Sequence, residues 1–422
     1  MQPESSANVA GVIGLGYVGL PLAVALAEAG VEVVGIDLDQ RKVDAIAAGE
    51  SYIEDISSER LRAIADRFAA SRRYADLSRA GTVVIAVPTP LNRNREPDLG
   101  PLLAAGRSLA AVLQRGQLIV LESTTYPGTT RERLAPLLEE SGLAAGRDFA
   151  LAFSPERIDP GRTDFTMRNT PKIVGGLTDE CTRRAIAFYE QVCNDVVRVS
   201  TPEAAELAKL LENIFRSVNI ALVNELAMLS DRMGIDIWEV VDAASTKPYG
   251  FMRFEPGPGL GGHCLPVDPF YLAWKAREYD VPTEFIELAG EVNQKMPFFC
   301  VEKITRALND QSKPVRGSHI VVIGVAYKGG VGDLRESPAL RIITLLQSLG
   351  AEVSYHDDYV PELPEHGLRS EPLATALEGA DAAVIVTRHP ELDVDAVVAG
   401  APLIVDFRGA TRGITAPNVV RL

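Results

Sequence analysis

The stretch NVAGVIGLGYVGLPLAVALAEAG, residues 8–30, constrains the fold more than any other part of the chain. A short apolar run stops at Gly14, turns through Gly16 and Gly19, and continues as an Ala/Leu-rich helical pattern. This reads as strand, tight turn, helix. VEVVGID then supplies a second short strand ending in Asp37, and further strand candidates follow at TVVIAVP, QLIVLEST and FALAFSP, separated by helix-like sequence. Such alternation predicts an α/β fold with a parallel sheet covered by helices on both faces.

Gly14, Gly16 and Gly19 have the G-x-G-x-x-G spacing, and Asp37 stands 18 residues after the last of them. The glycines permit a tight turn and close backbone approach to a pyrophosphate, whose charge sits at the N-terminus of the following helix. A carboxylate at the end of the second strand accepts hydrogen bonds from an adenosine ribose and repels a 2′-phosphate, which favours NAD over NADP. Arg41 and Lys42 lie near enough in sequence to weaken that preference.

At 422 residues the chain exceeds one ordinary core, and two or three domains are expected. From Thr201 a run without glycine or proline after Pro202 carries apolar residues at helical spacing as far as Gly234, which predicts one long central helix. Long helices of this kind often carry a dimer interface. A polar stretch, NDQSKPVRGS, reads as a linker before a second α/β unit that begins at HIVVIGVAYKGG. The architecture expected is two Rossmann-like doubly wound domains, 1–200 and 313–422, joined by a helical region, 201–312, with the long helix. The second unit lacks the glycine fingerprint and holds Lys328 and Arg335 instead, which suit phosphate as a point charge and a bidentate fork. A dinucleotide cofactor at one end and a nucleotide-linked substrate at the other would use both.

The formal charge of -15 disfavours non-specific nucleic-acid binding, and no apolar run is long enough to span a bilayer. MQPESSANVA has no basic segment followed by an apolar one, so a cytoplasmic location is expected. Cys181, Cys193, Cys264 and Cys300 are scattered, which supports neither a zinc site nor a disulfide framework. Cys181 and Cys300 read as small buried hydrophobes.

Cys264 stands apart, in the loop GPGLGGHCLPVDP, residues 257–269. Three readings compete there: a structural turn with Cys264 as packing, a metal site with His263 and Cys264 as ligands, and an active site with Cys264 as nucleophile. Adjacent residues seldom both ligate, and no companion cluster exists, so no metal is expected. Beside a nicotinamide-type site, a thiolate adds to an aldehyde, and the adduct yields a hydride and leaves a thioester for water to hydrolyse.

Seven ordered blocks then carry a resemblance: GVIGLGYVGLPLA, VPTP at 87–90, STTYPGTT at 123–130, SPER at 154–157, AELAKLLENIFRSVNIALVNELA at 205–227, the Cys264 loop, and YKGGVGDLRESP at 327–338. Together they are similar to the UDP-glucose/GDP-mannose dehydrogenase family along nearly the full chain. The resemblance implies NAD-dependent four-electron oxidation of a nucleotide sugar at C6 to a uronic acid, with 1–200 binding NAD and 313–422 binding UDP. Carried over by motif, Cys264 is the nucleophile. Lys209 and Asn213 meet the reacting C6 oxygen, Lys209 and Asp268 manage protons and water, and Asn213 stabilises an oxyanion. Glu156 is a substrate-loop carboxylate and base for thioester hydrolysis, and Thr124 holds the water or cofactor.

For NAD the match assigns Gly14, Gly16, Tyr17, Val18, Gly19, Asp37, Lys42, Thr89, Thr124 and Arg335. For the nucleotide sugar it assigns Glu156, Arg157, Lys209, Asn213, Asn224, Phe254, Pro256, Gly257, Gly261 and Lys328. Pro160 and Val267 depart from the pattern of UDP-glucose members, and the context from Pro248 to Pro297 resembles the branch acting on UDP-N-acetylhexosamines, especially UDP-N-acetylglucosamine. A two-electron hydroxyacid dehydrogenase would leave the Cys264 loop and the second nucleotide domain without purpose. A non-catalytic nucleotide-sugar sensor would not need Cys264, Lys209, Asn213 and Asp268 together. The partners expected are a UDP-sugar and a second copy of the chain.

Overall fold

The computed structural model describes residues 9–53, 55–92, 94–158, 164–262 and 265–422. Residues 1–8 of the stretch read for a leader, Pro160, His263 and Cys264 therefore lie outside the described residues. The chain forms two compact units, one holding residues to Glu212 together with Phe270–Val281, the other Asn213–Pro269 with Pro282–Leu422.

The first unit is built on an eight-stranded sheet. In chain order its strands are β1 (Val9–Ile13), β2 (Glu32–Ile36), β3 (Phe68–Ser71), β4 (Thr82–Ile85), β5 (Leu118–Leu121), β6 (Ala150–Phe153), β7 (Lys172–Gly176) and β8 (Val196–Arg198). They lie in the order β3-β2-β1-β4-β5-β6-β7-β8. β3 through β6 run parallel, with Ile13 opposite both Ile36 and Ile85. β5 and β6 are buried along their whole length, as strands covered on both faces by helices must be. Val12, Leu22, Val33, Val84, Val120 and Ala152 belong to one continuous core. Order reverses at β1, with β2 on one side and β4 on the other, so the carboxyl ends of β1, β2, β4, β5 and β6 share one edge around a topological switch point. β7 breaks the pattern by pairing antiparallel with β6, Phe153 opposite Gly175.

The long helix runs over Pro202–Met233, 32 residues, or about 48 Å at the usual rise. Thr201 starts it by accepting the Ala204 N–H on its hydroxyl, with Pro202 at the first helical position. Gly234 stops it at φ +69.

The second unit has its own parallel sheet. Its strands are β9 (His319–Ile323), β10 (Glu352–His356), β13 (Ala382–Ile385), β14 (Ile404–Asp406) and β15 (Val419–Arg421), in the order β10-β9-β13-β14-β15, with a two-residue hairpin of β11 (Glu362–Leu363) and β12 (Leu368–Arg369) beside it. The stretch read as a linker connects the helix Glu284–Asp310 to β9. The helix Glu284–Asp310 that precedes it contributes Met296, Cys300, Ile304 and Leu308 to the same core as Ile320 and Val322 of β9. Cys181 and Cys300 are buried, as expected of them. Among the described residues no helix is long and apolar enough to cross a membrane.

Candidate active site

Each glycine of the first turn has a separate physical role. Gly14 adopts φ +90, and a Cβ there would stand 2.5 Å from the Ala86 carbonyl oxygen. A Cβ on Gly19 would stand 1.9 Å from the Gly14 oxygen, so the helix Gly19–Glu28 can seat on the turn only with glycine there. A Cβ on Gly16 would meet nothing within 4 Å, which leaves open space over exposed backbone where a pyrophosphate fits. Tyr17 and Val18 complete the turn, Tyr17 exposed on its surface.

Asp37 follows β2 and ties this turn to it. Its Oδ2 accepts the Leu15 N–H at 2.9 Å and the Lys42 ammonium at 3.1 Å, while Oδ1 accepts the Asp39 N–H at 2.9 Å. Arg41 turns away and pairs with Asp39 at 2.8 Å. The guanidinium closest in sequence is thus engaged elsewhere, and the residues present fit NAD.

Further along the same edge, Thr89 after β4 donates its hydroxyl to the Thr124 carbonyl after β5 at 2.8 Å. Buried Tyr271 donates to the Thr89 carbonyl at 2.8 Å, which fixes that loop from below. Glu156 follows β6, its Oε1 accepting the backbone N–H groups of Arg157 at 2.8 Å and Ile158 at 2.7 Å. Burial pushes the Glu156 carboxyl up, but the Lys172 ammonium, the Ile158 and Arg157 N–H groups and the Lys209 charge together hold it below the usual carboxylate range. Arg157 directs its guanidinium to the Pro171 carbonyl and to Glu212 at 2.7 Å, and so shapes the loop. Lys209 is only 8% exposed, unlike an ordinary helix lysine in solvent.

Within the second unit, Asn213 and Asp268 form a buried pair, the Asn213 Nδ2 donating to Asp268 Oδ2. Arg216 donates to Asn213 Oδ1 at 2.9 Å, so the amide has a fixed orientation. Asp268 opens the helix Asp268–Ala276. Asn224 is fully buried, and its Oδ1 accepts the Gly257 N–H at 2.9 Å while its Nδ2 donates to Asn293 at 2.9 Å. Its visible work is to anchor the glycine loop.

That loop packs closely on the second sheet's connections. Pro256 and Gly257 are buried, Phe254 meets Phe215 edge-on at 5.8 Å, and a Cβ on Gly261 would lie 2.6 Å from Tyr327. Gly262 donates its N–H to the Arg335 carbonyl at 2.8 Å. The Arg335 side chain pairs with Asp333 at 2.6 Å, and the Lys328 ammonium sits 5.8 Å from the Tyr327 ring centre. Val267 is buried.

The second sheet repeats the logic of the first. Gly324 follows β9 at φ +75, as Gly14 follows β1, and Asp357 after β10 accepts the Val325 N–H at 2.7 Å, as Asp37 accepts that of Leu15. The sequence reading missed Arg408, which lies after β14 against Gly257 and donates to the Val386 carbonyl at 2.9 Å. A basic residue directly after a parallel strand was the available signal. It also missed Lys172, Glu122 and Tyr189, which no local pattern marks.

Three profiles of one family match the chain in order. These are the UDP-glucose/GDP-mannose dehydrogenase family NAD binding domain over residues 8–193, its central domain over 203–295, and its UDP binding domain over 321–413. A UDP-N-acetyl-D-mannosamine dehydrogenase of Pyrococcus horikoshii is 38% identical over 384 residues, covering 90% of this chain and 89% of its own. A UDP-N-acetyl-D-glucosamine 6-dehydrogenase of Pseudomonas aeruginosa is 34% identical over 386 residues, covering 90% of both. Among solved structures, a UDP-D-ManNAc dehydrogenase from Pyrococcus horikoshii superposes with a TM-score of 0.90 at 34% identity over 98% of each chain.

Proposed function

The chain belongs to the UDP-glucose/GDP-mannose dehydrogenase family, and from that premise we propose that this NAD-dependent UDP-sugar dehydrogenase oxidises a UDP-N-acetylhexosamine twice at C6, from alcohol to uronic acid. Residues 1–200 serve NAD, 201–312 the chemistry, and 313–422 the uridine diphosphate. Bound NAD supplies the hydride acceptor for each oxidation. Lys209 takes the proton of the C6 hydroxyl in the first. Cys264 then adds as thiolate to the aldehyde carbon, forming a carbon–sulfur bond, while Lys209 and the Asn213 amide stabilise the oxygen anion. Loss of a second hydride leaves a thioester. One water, deprotonated with Asp268 and Glu156 and held near Thr124, breaks the carbon–sulfur bond and restores the thiolate.

The observation that supports this reading most is the buried Asn213–Asp268 pair, oriented by Arg216. A protein that only bound a nucleotide sugar would gain nothing from burying an amide in fixed geometry against a carboxylate that stands four residues beyond Cys264 in the sequence. UDP-N-acetylglucosamine is the sugar the loop context favours. UDP-N-acetylmannosamine is the second reading, supported by the 38% identical relative. The test is a panel of these two sugars with UDP-N-acetylgalactosamine and UDP-glucose, each assayed for uronic acid by mass spectrometry. An N-acetylated sugar is expected to exceed UDP-glucose by at least about tenfold in kcat/KM. UDP-glucose as the best substrate would contradict the proposal.

The long helix exposes Phe215, Leu222, Leu226, Leu229 and Met233 at helical spacing. Such a row is self-complementary across a two-fold axis, and a second copy of the chain is its occupant. Leu222→Glu with Leu226→Glu is expected to halve the mass measured by light scattering. An unchanged mass would remove this helix from the interface. The thiols of Cys181, Cys193 and Cys300 are free and buried, which fits a reducing, cytoplasmic setting.

A further inference from the structure

Three buried side chains beneath Glu156 have no place in the chemistry so far. Because β7 runs antiparallel to β6, its first residue, Lys172, is delivered to the edge where the other strands end. A parallel strand would have carried that residue to the opposite edge. The Lys172 ammonium lies 2.8 Å from Glu122 Oε1 and 3.3 Å from Glu156 Oε2. Tyr189, at the end of the helix Asp179–Tyr189, donates its hydroxyl to the same Glu122 oxygen at 2.6 Å, and its ring centre is 5.1 Å from the ammonium. Lys172, Glu122 and Tyr189 are 4%, 1% and 0% exposed, so water does not screen this cluster.

We propose that Lys172 is a positioning residue for Glu156: seated on Glu122 and Tyr189, its ammonium fixes the Glu156 carboxylate at the end of β6 for the step that consumes water. This rests on the assignment of Glu156 to thioester hydrolysis. Oε1 is held by two backbone N–H groups and Oε2 by the ammonium, so both oxygens of the carboxylate are fixed from the protein. Two carboxylates sharing one ammonium would leave a net buried negative charge, which is costly. Burial pushes the Glu122 carboxyl up, outweighing Lys172, and its buried Oε2 has no hydrogen-bond partner among the described residues. The other groups acting on this cluster are Lys209 from the long helix, the Arg157 backbone N–H, and Cys193 near Lys172.

The test uses Lys172→Met and Lys172→Arg in the full chain, with thermal melting and NAD binding as controls for folding. Without the ammonium, Glu156 protonates more readily. The acid limb of kcat in Lys172→Met is expected to rise by at least about one pH unit, with recovery at alkaline pH. Because the water step alone is slowed, protein quenched during turnover should carry the thioester adduct, seen as added intact mass. Lys172→Arg should restore both. A folded Lys172→Met with the wild-type acid limb and no adduct would overturn the proposal.

A second readout needs no turnover. Titration of 13C-labelled glutamate carboxyls in the resting protein, assigned to Glu156 by difference against Glu156→Gln, should show Glu156 titrating at higher pH in Lys172→Met. If the wild type oxidises no UDP-sugar, the functional reading fails, yet this titration still decides the clamp. If Lys172→Met does not fold, Glu122→Gln takes its place: Lys172 then serves Glu156 alone, and Glu156 should titrate at lower pH. An unchanged Glu156 titration in the folded variant would overturn the clamp.

Discussion

Replacing Cys264 with serine is expected to lower kcat for uronic-acid formation by at least about 10³-fold. A serine hydroxyl is almost wholly protonated at neutral pH, so its addition to the aldehyde is slow. Any ester it forms also releases a poorer leaving group than a thiolate. Turnover should stop after the first oxidation or at release of the acyl group. NAD affinity should be unchanged, because the glycine turn and Asp37, which serve the cofactor, are intact in the variant. Steady-state kinetics together with NAD titration by calorimetry check both halves. Wild-type kcat in the variant would remove the nucleophile assignment.

Gly19→Ala is expected to abolish NAD binding in the accessible range, a loss of at least about 100-fold. Its Cβ would stand 1.9 Å from the Gly14 carbonyl oxygen and 3.1 Å from Val12, so either the turn or the helix must move. The melting temperature should fall even without NAD. Gly16→Ala separates the two consequences, since its Cβ meets nothing within 4 Å. That variant should melt like the wild type without NAD and still bind NAD at least about tenfold more weakly, because the space it fills is where backbone meets pyrophosphate. Wild-type NAD affinity in Gly16→Ala would mean that the phosphates do not approach this turn.

Much of this frame is legible in the sequence because it is local. Strand, glycine turn, helix and acid succeed one another within about one βαβ unit, and each obeys a steric or electrostatic rule that needs no distant partner. The long helix is legible for the same reason, through Pro202, Gly234 and the periodicity between them. Lys172 is not. In TPKIVGG a lysine at the start of a strand reads as a solvated charge, and only the antiparallel turn of β7 brings it to Glu122 and Glu156, 50 and 16 residues earlier.

Asn224 and Arg157 differ in another way. The family pattern implies substrate contacts for them, and their side chains also hold the loops at Gly257 and Pro171. A motif fixes which residue stands at a position, while tertiary contacts decide which atoms it touches. The polar stretch NDQSKPVRGS shows the same limit. Its composition is that of a linker, but the apolar faces of the helix before it and the strand after it meet in one core.

The central claim is that one active centre carries a UDP-sugar through two oxidations without releasing a half-oxidised product. Counting NADH formed per UDP-N-acetylhexosamine consumed tests it most directly, with NAD in excess and the sugar run to exhaustion. The account predicts two NADH and one uronic acid per sugar. One NADH per sugar, with an aldehyde or ketone as the final product, would contradict it.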